Sequence, residues 1–131
     1  MKLLLDTHIW IWTILRPEKI SPRVRRQLEN PNSEVYLSPI SIWEAHQIHR
    51  RGRMRVGQSF PEWVERALSQ TPVLEAPFNF MVAAEASRIE LPQNDIGDSF
   101  LAATASVLGL TLVTGDAQLL QCSWLKTLAN D

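Results

Sequence analysis

The sequence contains a single cysteine, Cys122. It therefore has no internal disulfide to staple it, which fits a reducing compartment, and a lone Cys reads first as a small buried hydrophobe. Long apolar runs are also lacking. Leu3-Leu4-Leu5 is broken at once by Asp6, and the run from Ile9 to Leu15 is short. Neither reaches the about 20 residues that span a bilayer, nor does the first form a signal h-region. There are no repeats, no low-complexity stretches and no linker of domain-separating length. The expectation is a soluble, cytoplasmic protein without membrane association. Net charge is nearly absent too, −1 from 13 Lys+Arg and 14 Asp+Glu, which argues against a simple cationic nucleic-acid coat. The total conceals an asymmetry. Residues 1–70 carry 11 basic and 7 acidic side chains, whereas residues 71–131 carry 2 and 7.

What is present suffices for one packed domain over 1–131. The chain is 131 residues long and 45% hydrophobic, with five Trp and four Phe, enough to bury a core without a structural metal. Leu3-Leu4-Leu5 reads as a strand buried on both faces. A helix capped by Asp6 or Thr7 follows to about Leu15 and stops at Arg16-Pro17. Ser21-Pro22 opens a second helix to about Glu29. Val35-Tyr36-Leu37 is a strand, and Ser38-Pro39 caps a helix to Arg51. Gly52 and Gly57 bracket a basic turn. Further helices are expected over Pro61–Ser69, Phe78–Ile89, Asp98–Leu108 and Asp116–Gln121. Short strands are expected at Val73-Leu74, Leu110–Val113 and Trp124–Leu128, and a loop over Leu91–Asn94. Alternating strands and helices imply a three-layer α/β/α sandwich with a mostly parallel sheet.

In such a sheet, ligands gather beyond the carboxyl ends of the strands. Asp6 ends the first strand and Asp116 follows Leu110–Val113, so both belong to that edge, although helix capping alone would explain either. Glu44 is more telling. It lies four residues after Ile40 and four before Ile48, within an apolar helical stripe. Asp98 heads a face continued by Leu101, Ala102 and Ala105. A half-buried carboxylate must be protonated, paired or metal-bound. The second half offers only Arg88 and Lys126 as partners, so several inward acids favour a divalent cation. Oxygen-only donors favour Mg²⁺ or Mn²⁺ over zinc. His46 and His49 lack the Cys/His partners of a zinc site.

Four segments then look familiar together. Leu4-Leu5-Asp6-Thr7-His8-Ile9-Trp10-Ile11-Trp12 resembles the opening of PIN-domain proteins, particularly the VapC toxins of bacterial toxin–antitoxin pairs. Ser38-Pro39-Ile40-Ser41-Ile42-Trp43-Glu44 resembles their second motif. Asp98-Ser99-Phe100-Leu101-Ala102-Ala103-Thr104-Ala105 resembles the third, and Leu112-Val113-Thr114-Gly115-Asp116 the fourth. The third motif departs from the family pattern: Asp95-Ile96-Gly97-Asp98-Ser99 stands where relatives often carry Asp-Pro-x-Asp-Arg. Asp95 reads as a cap or as a fifth ligand.

The resemblance implies an endoribonuclease, the toxin of a toxin–antitoxin pair, using Asp6, Glu44, Asp98 and Asp116 to hold one or two Mg²⁺ or Mn²⁺ ions and hydrolyse RNA. Thr7, Ser38 and Thr114 are supporting hydroxyls, each also an ordinary cap or strand-end residue. Arg50, Arg51, Arg53 and Arg55, with Arg23, Arg25 and Arg26, are candidate RNA phosphate contacts, against the ordinary reading of a solvated helix end. A homodimer and a small antitoxin covering the acidic groove are also implied. Trp10, Ile11, Phe60, Trp63 and Phe80 are candidates for those contacts, with core burial as the default. The competing reading is a catalytically silent PIN-like module that binds RNA or protein. Receiver domains and aspartate-nucleophile phosphatases fit poorly, since His8 stands where the phosphatase needs a second Asp.

Overall fold

The computed structural model describes residues 1–91 and 95–131. The loop expected over Leu91–Asn94 therefore lies, beyond Leu91, outside the described residues. In chain order the elements are β1 (Lys2–Leu5), α1 (Thr7–Leu15), a 3₁₀ turn (Pro17–Lys19), α2 (Pro22–Glu29), β2 (Glu34–Leu37), α3 (Pro39–Arg50), α4 (Phe60–Gln70), β3 (Leu74–Glu75), α5 (Phe80–Arg88), α6 (Ile96–Leu108), β4 (Thr111–Thr114), α7 (Ala117–Leu120) and β5 (Thr127–Ala129). All five strands are parallel, in the order β3-β2-β1-β4-β5.

Alternation along the central strands builds the layers. Leu3 and Leu5 on β1 join Val113 on β4 in a core beneath Ile9, Trp10, Val24, Phe60 and Trp63. Leu4 and Leu112 point the other way, against Leu101, Ala102, Ala105 and Leu119. Residues Leu3, Leu4 and Leu112 are fully buried. The expected α/β/α sandwich is the one observed.

The capping chemistry placed the helices well. Ser21 and Ser38 accept from the amides of Val24 and Ile40 at the heads of α2 and α3, each followed by Pro at the first helical position. Gly109 closes α6 in the left-handed region, φ 67°. Most boundaries differ by at most one residue, and three differ by more. Helix α6 begins at Ile96 rather than Asp98 because Asp95 is its cap, and α5 begins at Phe80 because Asn79 is. The last strand is Thr127–Ala129 rather than Trp124–Leu128, since its register is dictated by pairing of Leu112 with Thr127 and Thr114 with Ala129. Phe80, expected in the core by default, is 95% exposed, whereas Trp10, Ile11, Phe60 and Trp63 are buried.

Chain connections run outward from β1 to β2 and β3 on one side, and to β4 and β5 on the other. The strand order thus reverses between β1 and β4. That switch point leaves a crevice at their carboxyl ends, the natural ligand position in an open α/β sheet.

Candidate active site

Strand pairing sets the first two components. Leu5 pairs with Val113, and the Asp6 amide donates to the Val113 carbonyl at 3.0 Å. Asp6 and Thr114 therefore emerge side by side at the switch point. The Thr114 hydroxyl donates to Asp6 Oδ2 at 2.6 Å and accepts from the Asp116 amide at 3.0 Å. Asp6 stands at the N-cap position of α1, yet its carboxylate makes no capping bond to that helix. Helix capping thus does not account for Asp6. It does account for part of Asp116, whose Oδ1 accepts from the Leu119 amide at 3.1 Å. Asp95 is likewise a cap, accepting from the Asp98 amide at 2.9 Å.

Glu44 reaches the same place from α3. Thr7 Oγ1 donates to Glu44 Oε1 at 2.6 Å and lies 2.9 Å from Ser41 Oγ. The other carboxylate oxygen of Glu44 lies against Gly97, where any Cβ would collide with it. Gly97 is in a normal right-handed helix, so the glycine serves close approach between α6 and α3 rather than backbone conformation. Its neighbour Asp98 sits in the first turn of α6.

Asp6, Glu44, Asp98 and Asp116 all line one cleft of about 650 Å³, with Thr7, His8, Trp12, Trp43, Gln47, Arg51, Arg53 and Asp95 also on its walls. Among the described residues, none of the four carboxylates has an ion-pair partner. Their protonation responds. Burial raises the Asp6 carboxyl above its ordinary value, against the opposing bond from Thr114. Burial also raises Glu44, against the bond from Thr7, with Asp6 and Asp95 adding repulsion. Asp98 is pushed up to about 7 by burial, then by repulsion from Asp95, Asp6, Asp116 and Glu44.

The cost of this arrangement gives a pH prediction. A carboxylate raised in the folded state destabilises the fold when charged, and the penalty is relieved as pH falls through its folded value. Asp98, Asp6 and Glu44 all act in this direction. Metal-free protein in EDTA should therefore melt higher at pH 5.5 than at pH 8. Half-exposure of Asp98 screens the effect to on the order of 1–2 kcal/mol, or about 3–8 °C. Asp98→Asn should raise the pH 8 melting temperature and flatten the profile; an unchanged slope by circular dichroism would remove Asp98 as its source.

Other candidates fall differently. Arg51 and Arg53 reach the cleft, but Arg50 and Arg55 are not on its walls. Ser38 is fully buried, serves as the α3 cap and does not line the cleft. Arg23 pairs loosely with Asp131 at 3.9 Å, Arg25 donates to the Pro17 carbonyl at 2.8 Å, and neither these nor Arg26 lines the cleft. His46 and His49 pack their rings against Phe60, with centroids 5.1 and 5.5 Å away. Sequence reading overlooked Ser41, Gly97 and Gln47. Ser41 and Gln47 flank Glu44 three residues away on either side, a spacing that shares its helix face. Among the described residues the buried Gln47 side-chain nitrogen has no hydrogen-bond partner. Gly97 inside a first helical turn, opposite an inward Glu, had no local signature.

A doubly wound sheet whose switch point carries unpaired acids from four separate segments defines a class of α/β protein with an acidic centre. The chain belongs to the PIN domain family, whose model matches residues 3–125. No curated protein sequence matches it. Its fold is shared by solved structures. FitAcB from Neisseria gonorrhoeae is 26% identical, with a TM-score of 0.61 over 98% of this chain and 97% of that one. VapBC2 from Rickettsia felis, bound to a fragment of promoter DNA, is 19% identical, with a TM-score of 0.69 over the full length of both chains. A toxin–antitoxin complex from Klebsiella pneumoniae is 17% identical, with a TM-score of 0.68 over 98% of each. Among the described residues no helix is long and apolar enough to cross a membrane.

Proposed function

We propose that this protein is a divalent-metal-dependent endoribonuclease and the toxin of a toxin–antitoxin pair. The observation that carries the chemical half is the set of four carboxylates, brought to one cleft with, among the described residues, no ion-pair partner for any of them. The biological half is supported by family membership and by neighbours solved as VapBC and toxin–antitoxin complexes.

The donor set suits a hard cation. Every candidate ligand is an oxygen, and burial with mutual repulsion penalises the metal-free charged state. Among the described residues no three His, Cys, Asp or Glu side chains form a ready cage. Asp6, Asp98, Asp116 and Glu44 would hold Mg²⁺ or Mn²⁺, one or two ions. Such an ion supplies polarisation of the phosphoryl oxygens and a more acidic attacking water.

The protein's own residues do the remaining work. Thr114 holds the Asp6 carboxylate by its 2.6 Å bond and is itself held by the Asp116 amide, so the two strand ends act as one unit. Thr7 fixes one oxygen of Glu44. Gly97 packs against the other, and together these contacts hold the carboxylate at the cleft, where it would orient water or accept its proton. Arg51 and Arg53 stand on the cleft wall, where an RNA phosphate meets positive charge. In this reading a small antitoxin covers the cleft and a second copy of the chain pairs with the first. The 95% exposed Phe80 and the 68% exposed Met81 on α5 are apolar surface suited to one of those contacts.

The direct test is cleavage of a total-RNA substrate by purified protein. Cleavage is expected with Mg²⁺ or Mn²⁺ and absent in EDTA. Cleavage persisting in EDTA would refute metal dependence, while divalent binding without cleavage would favour a silent binding module. For the biological role, induced expression should arrest growth, and co-expression of a small antitoxin encoded beside it should restore it.

A further inference from the structure

Beside the acidic cleft runs a second groove of about 460 Å³. The two share Ile11, Trp12, Arg53 and Met54 in their walls, so they lie side by side. Among the described residues, four cations line the second groove, Arg16 and Lys19 beyond the end of α1 and Arg53 and Arg55 beyond α3, and no acid lines it.

The chain turn that builds it is specific. Helix α3 ends with the Gly52 amide bonded to the His49 carbonyl at 3.0 Å and the Arg53 amide bonded to the Ile48 carbonyl at 3.1 Å. Gly52 has φ 73°. This is the Schellman arrangement, which needs a left-handed residue after the helix. It folds the basic segment back toward the end of α1, so that arginines far from Arg16 and Lys19 in sequence share a groove with them. Arg16 is not tied up: its contact with Glu18 is 3.6 Å between side chains more than 60% exposed, and such pairs contribute little. Trp12 adds an aromatic surface. Its ring is half-buried, with the Lys19 ammonium 5.1 Å from the centroid. An exposed cation–π contact is weaker than base–aromatic stacking, so a nucleobase can displace Lys19 and leave it free for a phosphate.

We propose that this groove binds the single-stranded RNA segment flanking the scissile phosphate, with Arg16, Lys19, Arg53 and Arg55 on the phosphates and Trp12 under a base. The proposal rests on the ribonuclease reading and extends its substrate to several nucleotides on one side of the cut. Double-stranded RNA offers no free base to Trp12 and should bind less well.

The test measures binding by fluorescence anisotropy of a labelled single-stranded 12-nucleotide RNA, in EDTA so that no cleavage intervenes. Arg16→Ala with Lys19→Ala should weaken binding about tenfold and lower the slope of log affinity against log salt by about 1.4, the value for two single-strand phosphate contacts. Trp12→Leu should weaken binding about tenfold with little change of slope. Arg66→Ala with Arg88→Ala, both exposed and outside the groove and the cleft, should change neither. Arg16 and Lys19 are both exposed, so folding does not obscure the result. An unaltered affinity and slope in Arg16→Ala/Lys19→Ala, or an equal loss in the Arg66→Ala/Arg88→Ala control, overturns the groove. So does loss of antitoxin binding with RNA binding intact. A parallel assay with Mn²⁺ separates the two readings. Wild-type cleavage with unaffected groove variants removes the groove alone; groove-dependent binding without wild-type cleavage removes the nuclease and leaves the groove.

Discussion

Asp6→Asn is expected to lower metal-dependent RNA cleavage by about 10³-fold or more while leaving the protein folded. Asparagine has the shape of aspartate and can still accept the Thr114 hydroxyl that now bonds Oδ2 at 2.6 Å. The backbone link from the Asp6 amide to Val113 is unaffected. What disappears is the negative charge at the centre of the cleft, where it would anchor the cation. Loss of a single preorganised electrostatic contact to the transition state commonly costs about 10²–10³-fold, and a metal anchor supports more than one such contact. Stability should move the other way. Burial raises the Asp6 carboxyl, so a neutral residue there relieves a penalty in the metal-free protein. Single-turnover cleavage and thermal melting in EDTA together check the prediction. Unchanged cleavage by the purified variant would remove Asp6 from the catalytic set, whereas lost cleavage with a collapsed melting transition would mark a structural role.

The contrast between Asp6 and Asp116 shows how far the residues alone could carry the site. Both follow a parallel strand and precede a helix, and local sequence gives them the same two readings. Tertiary pairing separates them. Asp6 turns to Thr114, 108 positions away, whereas Asp116 caps α7. The layers were legible because Leu3, Leu4 and Leu5 are apolar on both sides of the strand, and the helix starts because Ser-Pro pairs signal them locally. Strand β5 was less so: three residues at an edge take their register from β4, not from their own pattern. Phe80 misled for a related reason. Hydrophobicity predicts burial only when a neighbouring layer covers that face, and in a single chain none covers Phe80. The basic candidates divided similarly. Composition grouped Arg25 with Arg53, but the turn at Gly52 brings only the latter to the cleft. The least legible residue was Gly97, because its role depends on a carboxylate 53 positions earlier.

Gly97→Ala should therefore be the most informative substitution that leaves every candidate ligand in place. A Cβ at this position would run into Glu44 Oε2. Two effects compete in stability. Alanine is favoured over glycine inside a helix by about 0.5–1 kcal/mol, while the collision is with the tip of a flexible side chain, which can swing away. The net change in melting temperature should be within a few degrees. Activity has no such compensation. Moving Glu44 lengthens or breaks its 2.6 Å bond from Thr7 and withdraws the carboxylate from the cleft. A displacement of about 1 Å at a catalytic group can cost about 10²-fold, and that is the expected loss in cleavage. Glu44→Gln alone should give a loss of similar size. The two should not add: if Gly97 acts through Glu44, the double variant Gly97→Ala/Glu44→Gln should cleave no more slowly than Glu44→Gln by itself. Multiplicative losses would mean that Gly97 serves the site by another route, for instance by positioning Asp98 next to it. Full activity in Gly97→Ala would show that the close approach of α6 to α3 is dispensable and that Glu44 is not needed where it now lies.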